Sequence, residues 1–210
     1  MAENAKLYNT REFDANKAQE NIIAVFEYVM NTTMEQELID AINWYPIAHG
    51  FCALLAQTFG LETFQFAGIV AALSPQLSWQ KNKAQALEFV ARAQNGQSLS
   101  GLMAYPANLE KARRILAGEN PLNVLGGNKV RSFYLNIMLD ESAVTIDRHA
   151  TSIALYGLSV AKSGQVSVTD KLYRLLAQAY KDVALSYSIT PYVLQSVTWT
   201  YKAINGGKVQ

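Results

Sequence analysis

One cysteine, Cys52, is all that the 210 residues contain. That scarcity excludes an intramolecular disulfide framework, a cysteine-built zinc site and a four-cysteine iron-sulfur cluster. A reducing compartment fits, and a cytoplasmic protein is expected. Histidines are nearly as scarce: His49 and His149 stand far apart in the chain, so neither a metal site nor a cofactor is expected. Charged residues make up 17% with a formal net charge of +1, so no global field points to nucleic acid and a basic face must be found by position. No stretch approaches the roughly 18 apolar residues of a membrane span, and the first residues lack the basic-then-apolar order of a secretory signal. No membrane association is expected, and nothing calls for an obligatory protein partner. Internal repeats and low-complexity linkers are missing, and period-two alternation is confined to the short GQVSVT at 164–169.

What the chain does have is apolar residues, 50% of the total, enough for one large core or two smaller lobes. They recur at helical spacing. Ile22, Ile23, Phe26, Val29 and Met30 mark one helix; YPIAHGFCALLAQTFG marks another that stops at Gly60. LETFQFAGIVAALS is apolar nearly all round, which at that length reads as a buried helix. Pro75 breaks it, and a new helix starts with Ser78 as N-cap and ends before Gly96. Further helices are expected from Pro106 to Gly118, over NKVRSFYLNIMLD, DRHATSIALYGLS and TDKLYRLLAQAYKDVALSY, and from Thr190 and Pro191 onward, where these two supply cap and first-turn signals. The fold class is therefore all-α, with about nine or ten short helices.

One stretch, NVLGGNKVRSFYLNIMLDESAVTIDRHA at 123–150, concentrates the residues that chemistry would need. A short helix, a glycine turn and a second helix present unbonded N–H groups at that second N-terminus, a site that attracts phosphate. Lys129 stands there, where helix stability alone would not place a cation. A lysine amine is a nucleophile only when deprotonated, which burial and a positive field both favour. Asp147 follows the apolar Val144 and Ile146 at the edge of the next helix. It reads as an N-cap, and a cap and a catalyst can coincide, because a carboxylate is the group that stabilises a developing oxocarbenium cation. Lys111, Arg113, Arg114, Lys129 and Arg131 against Glu110 and Glu119 give a local balance of +3, suited to a phosphate-facing side.

These residues resemble the helix-hairpin-helix DNA glycosylases of the endonuclease III type, whose signature runs Leu-Pro-Gly-x-Gly-x-Lys, an apolar helix, then Val-Asp-Thr-His. Leu125, Gly127 and Lys129 lie in the hairpin register, and Ile146, Asp147 and His149 fall on the Val-Asp-x-His part. The separation of eighteen residues between Lys129 and Asp147 is that of the bifunctional members. Upstream, Ser74 and Gln76, then Asn82, Lys83 and Ala84, are similar to the family's Ser-x-Gln and Asn-Lys-Ala segments, and Lys111, Ala112 and Ile115 to the helix leading into the hairpin. The likeness spans roughly residues 64–155. The hairpin itself departs from the pattern: it reads Leu-Gly-Gly-Asn-Lys, without the proline and with its first glycine displaced. The resemblance thus implies a divergent member without an iron-sulfur cluster.

The same resemblance implies two helical lobes, 60–140 containing the hairpin and 1–59 with 141–210 forming the other, with the active-site cleft between them. It implies a DNA glycosylase with AP-lyase activity acting on duplex DNA: the nucleotide is flipped out, Lys129 attacks C1′, and Asp147 stabilises the sugar cation. Gly126, Gly127, Asn128, Lys111 and Arg131 would hold phosphate, Gln76 would sit at the DNA gap or opposite base, and Asn82 and His149 would be supporting residues. His149 would orient the Asp147 loop, with proton transfer as the alternative. Trp79, His49, Gln195 and Trp199 are base-pocket candidates, each with a structural alternative: core packing for Trp79, a satisfied structural histidine for His49, helix packing for the i, i+4 pair Gln195 and Trp199. Two rival functions remain open at this level, the same fold acting on a modified nucleotide, nucleoside or hypermodified base, and a non-catalytic DNA-binding module.

Overall fold

A computed structural model of the protein describes residues 6–162 and 166–205. It is all-α: among the described residues the only strands are β1 (Lys6–Leu7) and β2 (Val166–Ser167), two residues each, paired in parallel as Lys6 with Val166 and Leu7 with Ser167. The alternation expected over 164–169 is thus reduced to two residues, and 164 and 165 lie outside the described residues. Eleven α-helices are described. The first six are α1 (Ala15–Thr32), α2 (Glu35–Ile42), α3 (Trp44–Thr58), α4 (Thr63–Leu73), α5 (Trp79–Gln94) and α6 (Pro106–Leu116). They are followed by α7 (Pro121–Val124), α8 (Asn128–Ile137), α9 (Arg148–Tyr156), α10 (Asp170–Ser186) and α11 (Pro191–Asn205), with a 3-10 segment at Gly157–Lys162. No helix among them is long and apolar enough to cross a membrane.

The described residues form two compact units, one drawn from Met1–Tyr45 and Asp140–Val209, the other from Pro46–Leu139. Residues 46–59, grouped with the chain's ends in the sequence reading, belong to the central unit.

In the terminal unit α1 packs on α9, α10 and α11. Its apolar residues Ala18, Ile22, Val25, Phe26 and Val29 recur every three or four positions and are buried, the stripe that an amphipathic helix turns to its core. Helix α10 answers with Leu172, Leu176, Tyr180 and Val183, and α11 with Leu194 and Val197. Asp14 caps α1 by accepting from Lys17 N, and Thr169 caps α10 by accepting from Leu172 N. The start of α11 corrects one expectation: Thr190 Oγ1 is buried and makes no hydrogen bond. Its carbonyl instead accepts from Val193 N and Leu194 N, so Pro191 alone provides the first-turn signal. Helix α2 was not foreseen, because its eight residues carry only a two-residue inner face, Leu38 and Ala41, packed on α11.

The central unit is arranged around α4, which contacts α5, α6, α7 and α8. Every residue from Phe66 to Leu73 is buried, as an apolar girth on all sides requires. Ser78 caps α5 by accepting from Lys81 N. Gly68 lets the hairpin come close: a Cβ there would lie 2.6 Å from Cγ and 2.9 Å from Cβ of Pro121, the first residue of α7. A proline ring cannot swing aside. Gly68→Ala is therefore expected to destabilise by about 1–3 kcal/mol, read as a fall of several degrees in the thermal midpoint. Gly50→Ala, in α3 with nothing within 4 Å of its Cβ position, should be neutral or stabilising. Equal midpoints for the two variants would rule out the close approach.

Candidate functional site

In the terminal unit the candidate site is built around Asp147. The four residues before it, Ala143 to Ile146, are buried without forming a helix, so their backbone polar groups need partners from outside. Tyr173 on α10 supplies two: its hydroxyl accepts from Ile146 N at 3.2 Å and donates to the Val144 carbonyl at 3.1 Å. Held in this way, the chain delivers Asp147 to the N-terminus of α9 as its cap. Oδ1 accepts from His149 N at 2.9 Å and from Ala150 N at 2.8 Å, the expected N-cap bonds. Oδ2 accepts from the indole Nε1 of Trp199 at 3.3 Å.

All three donors are neutral, and among the described residues Asp147 takes part in no ion pair. The carboxylate is half-buried. The charge is felt below it. Tyr45 and Tyr180 are both buried, and burial first, then the Asp147 charge, pushes each phenol well above its usual range. Tyr45 donates to Gln195 Oε1 at 3.0 Å and is hydrogen-bonded to Thr145, two residues before Asp147. Tyr180 donates to the Ala150 carbonyl at 3.3 Å.

The structure therefore brings Asp147, His149, Gln195 and Trp199 into one neighbourhood within this unit. Gln195 is buried and tied to Tyr45; Trp199 is half-buried, its ring edge-on to His149 with centroids 5.6 Å apart. His149 serves the Asp147 turn through its backbone N–H, while its ring accepts from Arg148 Nε at 3.3 Å. Tyr45, Tyr173 and Tyr180 escaped the sequence reading, since a lone tyrosine at core spacing is indistinguishable there from packing.

The central unit carries the hairpin. Asn120 caps α7 by accepting from Leu122 N, and the turn runs from Leu125 to Gly127, which caps α8 at φ +76°. That conformation is the one glycine tolerates, so the second glycine of the pair is the required one. No side chain caps α8. A Cβ at Gly126 would lie 3.7 Å from Lys111 Nζ, which puts that ammonium beside the turn. Arg114 pairs with Glu119 through two hydrogen bonds, at 2.6 and 2.8 Å, and Arg113 lies 3.6 Å from Glu110. The local balance of +3 thus rests on Lys111, Lys129 and Arg131, none of which forms an ion pair among the described residues. Lys129 and Arg131 are exposed. Residues 46–139 as a whole hold eight Lys and Arg against four Asp and Glu, a net +4, which leaves −3 for the rest of the chain.

The remaining candidates lie elsewhere in this unit. His49 Nδ1 is 3.0 Å from the Ile137 carbonyl at the end of α8, the structural role weighed for it. Trp79 stands between Phe51 and Phe133, with centroids at 5.8 and 6.5 Å, and Lys83 Nζ lies 5.6 Å from its ring centre. The ring is half-buried among these neighbours. Asn82 is buried and its Oδ1 lacks a hydrogen-bond partner, as does Gln85 Nε2 one turn later. Gln76 is exposed with φ +66°, a left-handed conformation uncommon outside glycine. It borders an open groove of about 400 Å³ whose other wall holds Met103 and Tyr105, 62% and 55% exposed. Among the described residues no group of three or more His, Cys, Asp or Glu could hold a metal ion.

The class these observations define is an all-α protein with a helix-capping aspartate in one unit and a basic glycine hairpin in the other. Residues 4–207 match the model of a family of unknown function, DUF7178, and the chain belongs to that family. No curated protein and no solved structure matches it.

Proposed function

We propose that the protein is a DNA N-glycosylase with AP-lyase activity, a divergent helix-hairpin-helix enzyme that removes a damaged or modified base from duplex DNA. The observation that carries this reading is Asp147: a carboxylate fixed by three neutral donors and in no ion pair among the described residues, suited to meet the positive charge that develops on a deoxyribose ring as its base departs. Lys129 is the nucleophile. Its amine bonds to C1′ as the C1′–N bond breaks and the electron pair leaves with the base; loss of the amine proton and ring opening give a Schiff base, from which strand cleavage follows. The exposed N-terminus of α8 with Lys111 and Arg131 holds backbone phosphates. Gln76, kept in an unfavourable backbone conformation on an exposed loop, contacts the gap left by the flipped nucleotide; strain of this kind collects at ligand-contacting positions.

Borohydride trapping on duplexes carrying an abasic site and a panel of modified bases tests the reading. A covalent adduct is expected with the wild type and none with Lys129→Ala, which should still bind the duplex. An adduct that survives in Lys129→Ala removes Lys129 as nucleophile. Base release without any adduct leaves a monofunctional glycosylase driven by Asp147, and neither release nor adduct on any duplex overturns the reading.

A further inference from the structure

Trp199 is half-buried on α11, and its one polar atom is spent on Asp147. A carboxylate offers about four acceptor sites. Two are taken on Oδ1 by the α9 N-terminus. Held by that oxygen alone, the group could still tilt about its own bonds. The indole N–H on Oδ2 at 3.3 Å removes that freedom and leaves one acceptor direction open. Indole is suited to this, because it is a donor only and it is neutral. The ring is itself fixed, edge-on to His149, whose backbone N–H donates to Asp147 Oδ1.

We propose that Trp199 is the positioning residue of Asp147, aiming the remaining lone pair of its carboxylate at a cationic ligand centre, rather than a surface on which a base stacks. This rests on the glycosylase reading for its chemistry, and on the indole contact alone for its geometry. The positioning role makes a clear demand: the hydrogen-bonding nitrogen matters and the aromatic face does not. Trp199→Phe keeps a ring near His149 and removes the donor together with part of the indole's bulk, which the Asp147→Asn background controls for.

Single-turnover base release, duplex affinity and the indole N–H resonances of the three tryptophans form the test. Trp199→Phe is expected to slow base release at least tenfold with duplex affinity within twofold of the wild type. In an Asp147→Asn background the same change should cost nothing more, because a residue acting through another has no separate effect once that partner is altered. The Trp199 indole resonance, assigned by its loss in Trp199→Phe, should move when Asp147→Asn is introduced. Wild-type release rates in Trp199→Phe, effects that multiply in the double variant, or an indole resonance indifferent to Asp147 would each overturn the proposal. If the wild type releases no base from any duplex, the glycosylase reading fails, and the indole measurement still decides the contact.

Discussion

Asp147→Asn is expected to leave the protein folded and to remove its chemistry. Asparagine is as good an N-cap as aspartate, so the bonds from His149 N and Ala150 N at the start of α9 survive the exchange; the amide NH2 then stands where Oδ2 stood and cannot accept from Trp199 Nε1, so the thermal midpoint should fall only by what that one contact contributes. The charge does not survive. A neutral amide offers a dipole where an oxocarbenium centre needs an anion, and losing such a contact typically costs about 10²–10³ in rate. Asp147→Ala goes further: it deletes the cap as well, at about 0.5–2 kcal/mol. Thermal denaturation beside single-turnover base release separates the two outcomes. An Asp147→Asn protein that releases base at the wild-type rate would reduce Asp147 to a helix cap.

Stability is expected to fall as pH rises from 9 to 11. Cys52 is fully buried, and burial pushes its thiol up to about 12 from an ordinary value of 9.0. Burial raises the Tyr45 and Tyr180 phenols well above their ordinary 10.0. For each group the folded value exceeds the unfolded one, so its contribution is fully present below the unfolded value and is lost as pH rises. Above pH 9 an unfolded chain sheds the Cys52 proton while the folded chain keeps it, which costs about 1.4 kcal/mol per pH unit. Two more protons join from pH 10. Chemical denaturation at stepped pH measures the slope. Cys52→Ala should flatten the first pH unit and Tyr180→Phe part of the second; a wild-type stability constant from pH 9 to 11 would contradict the burial of all three.

Most helices were legible because their signals are local. Ser78, Pro106 and Gly118 punctuate the chain by steric rules that hold whatever surrounds them, and the stripe on α1 follows from a period. Helix α2 was missed because eight residues hardly complete two turns, and Thr190 misled because a capping residue type does not guarantee a capping bond. At the site, Asp147 was readable as a cap from its place before a helical run. Its Trp199 partner was not readable in that role: spacing put Gln195 and Trp199 on one face of α11, but which atom of each would find a partner depends on a segment about fifty residues away. The tyrosines around Asp147 were hidden for the same reason, since Tyr173 serves a backbone from which it is separated by 27 and 29 positions.

The notch at Gly68 has a consequence for how the hairpin can vary. Pro121 seats in α4 at the entrance to the turn, Gln65 Nε2 donates to the Ile115 carbonyl at 3.3 Å at the end of α6, and His49 holds the far end of α8. The helices on both sides of the turn are therefore pinned by their neighbours, and Leu125 to Gly127 has only to bridge a gap of set width. A turn in that position can vary around Gly127, whose left-handed conformation fixes that one residue, while the helices it joins stay where α3 and α4 put them.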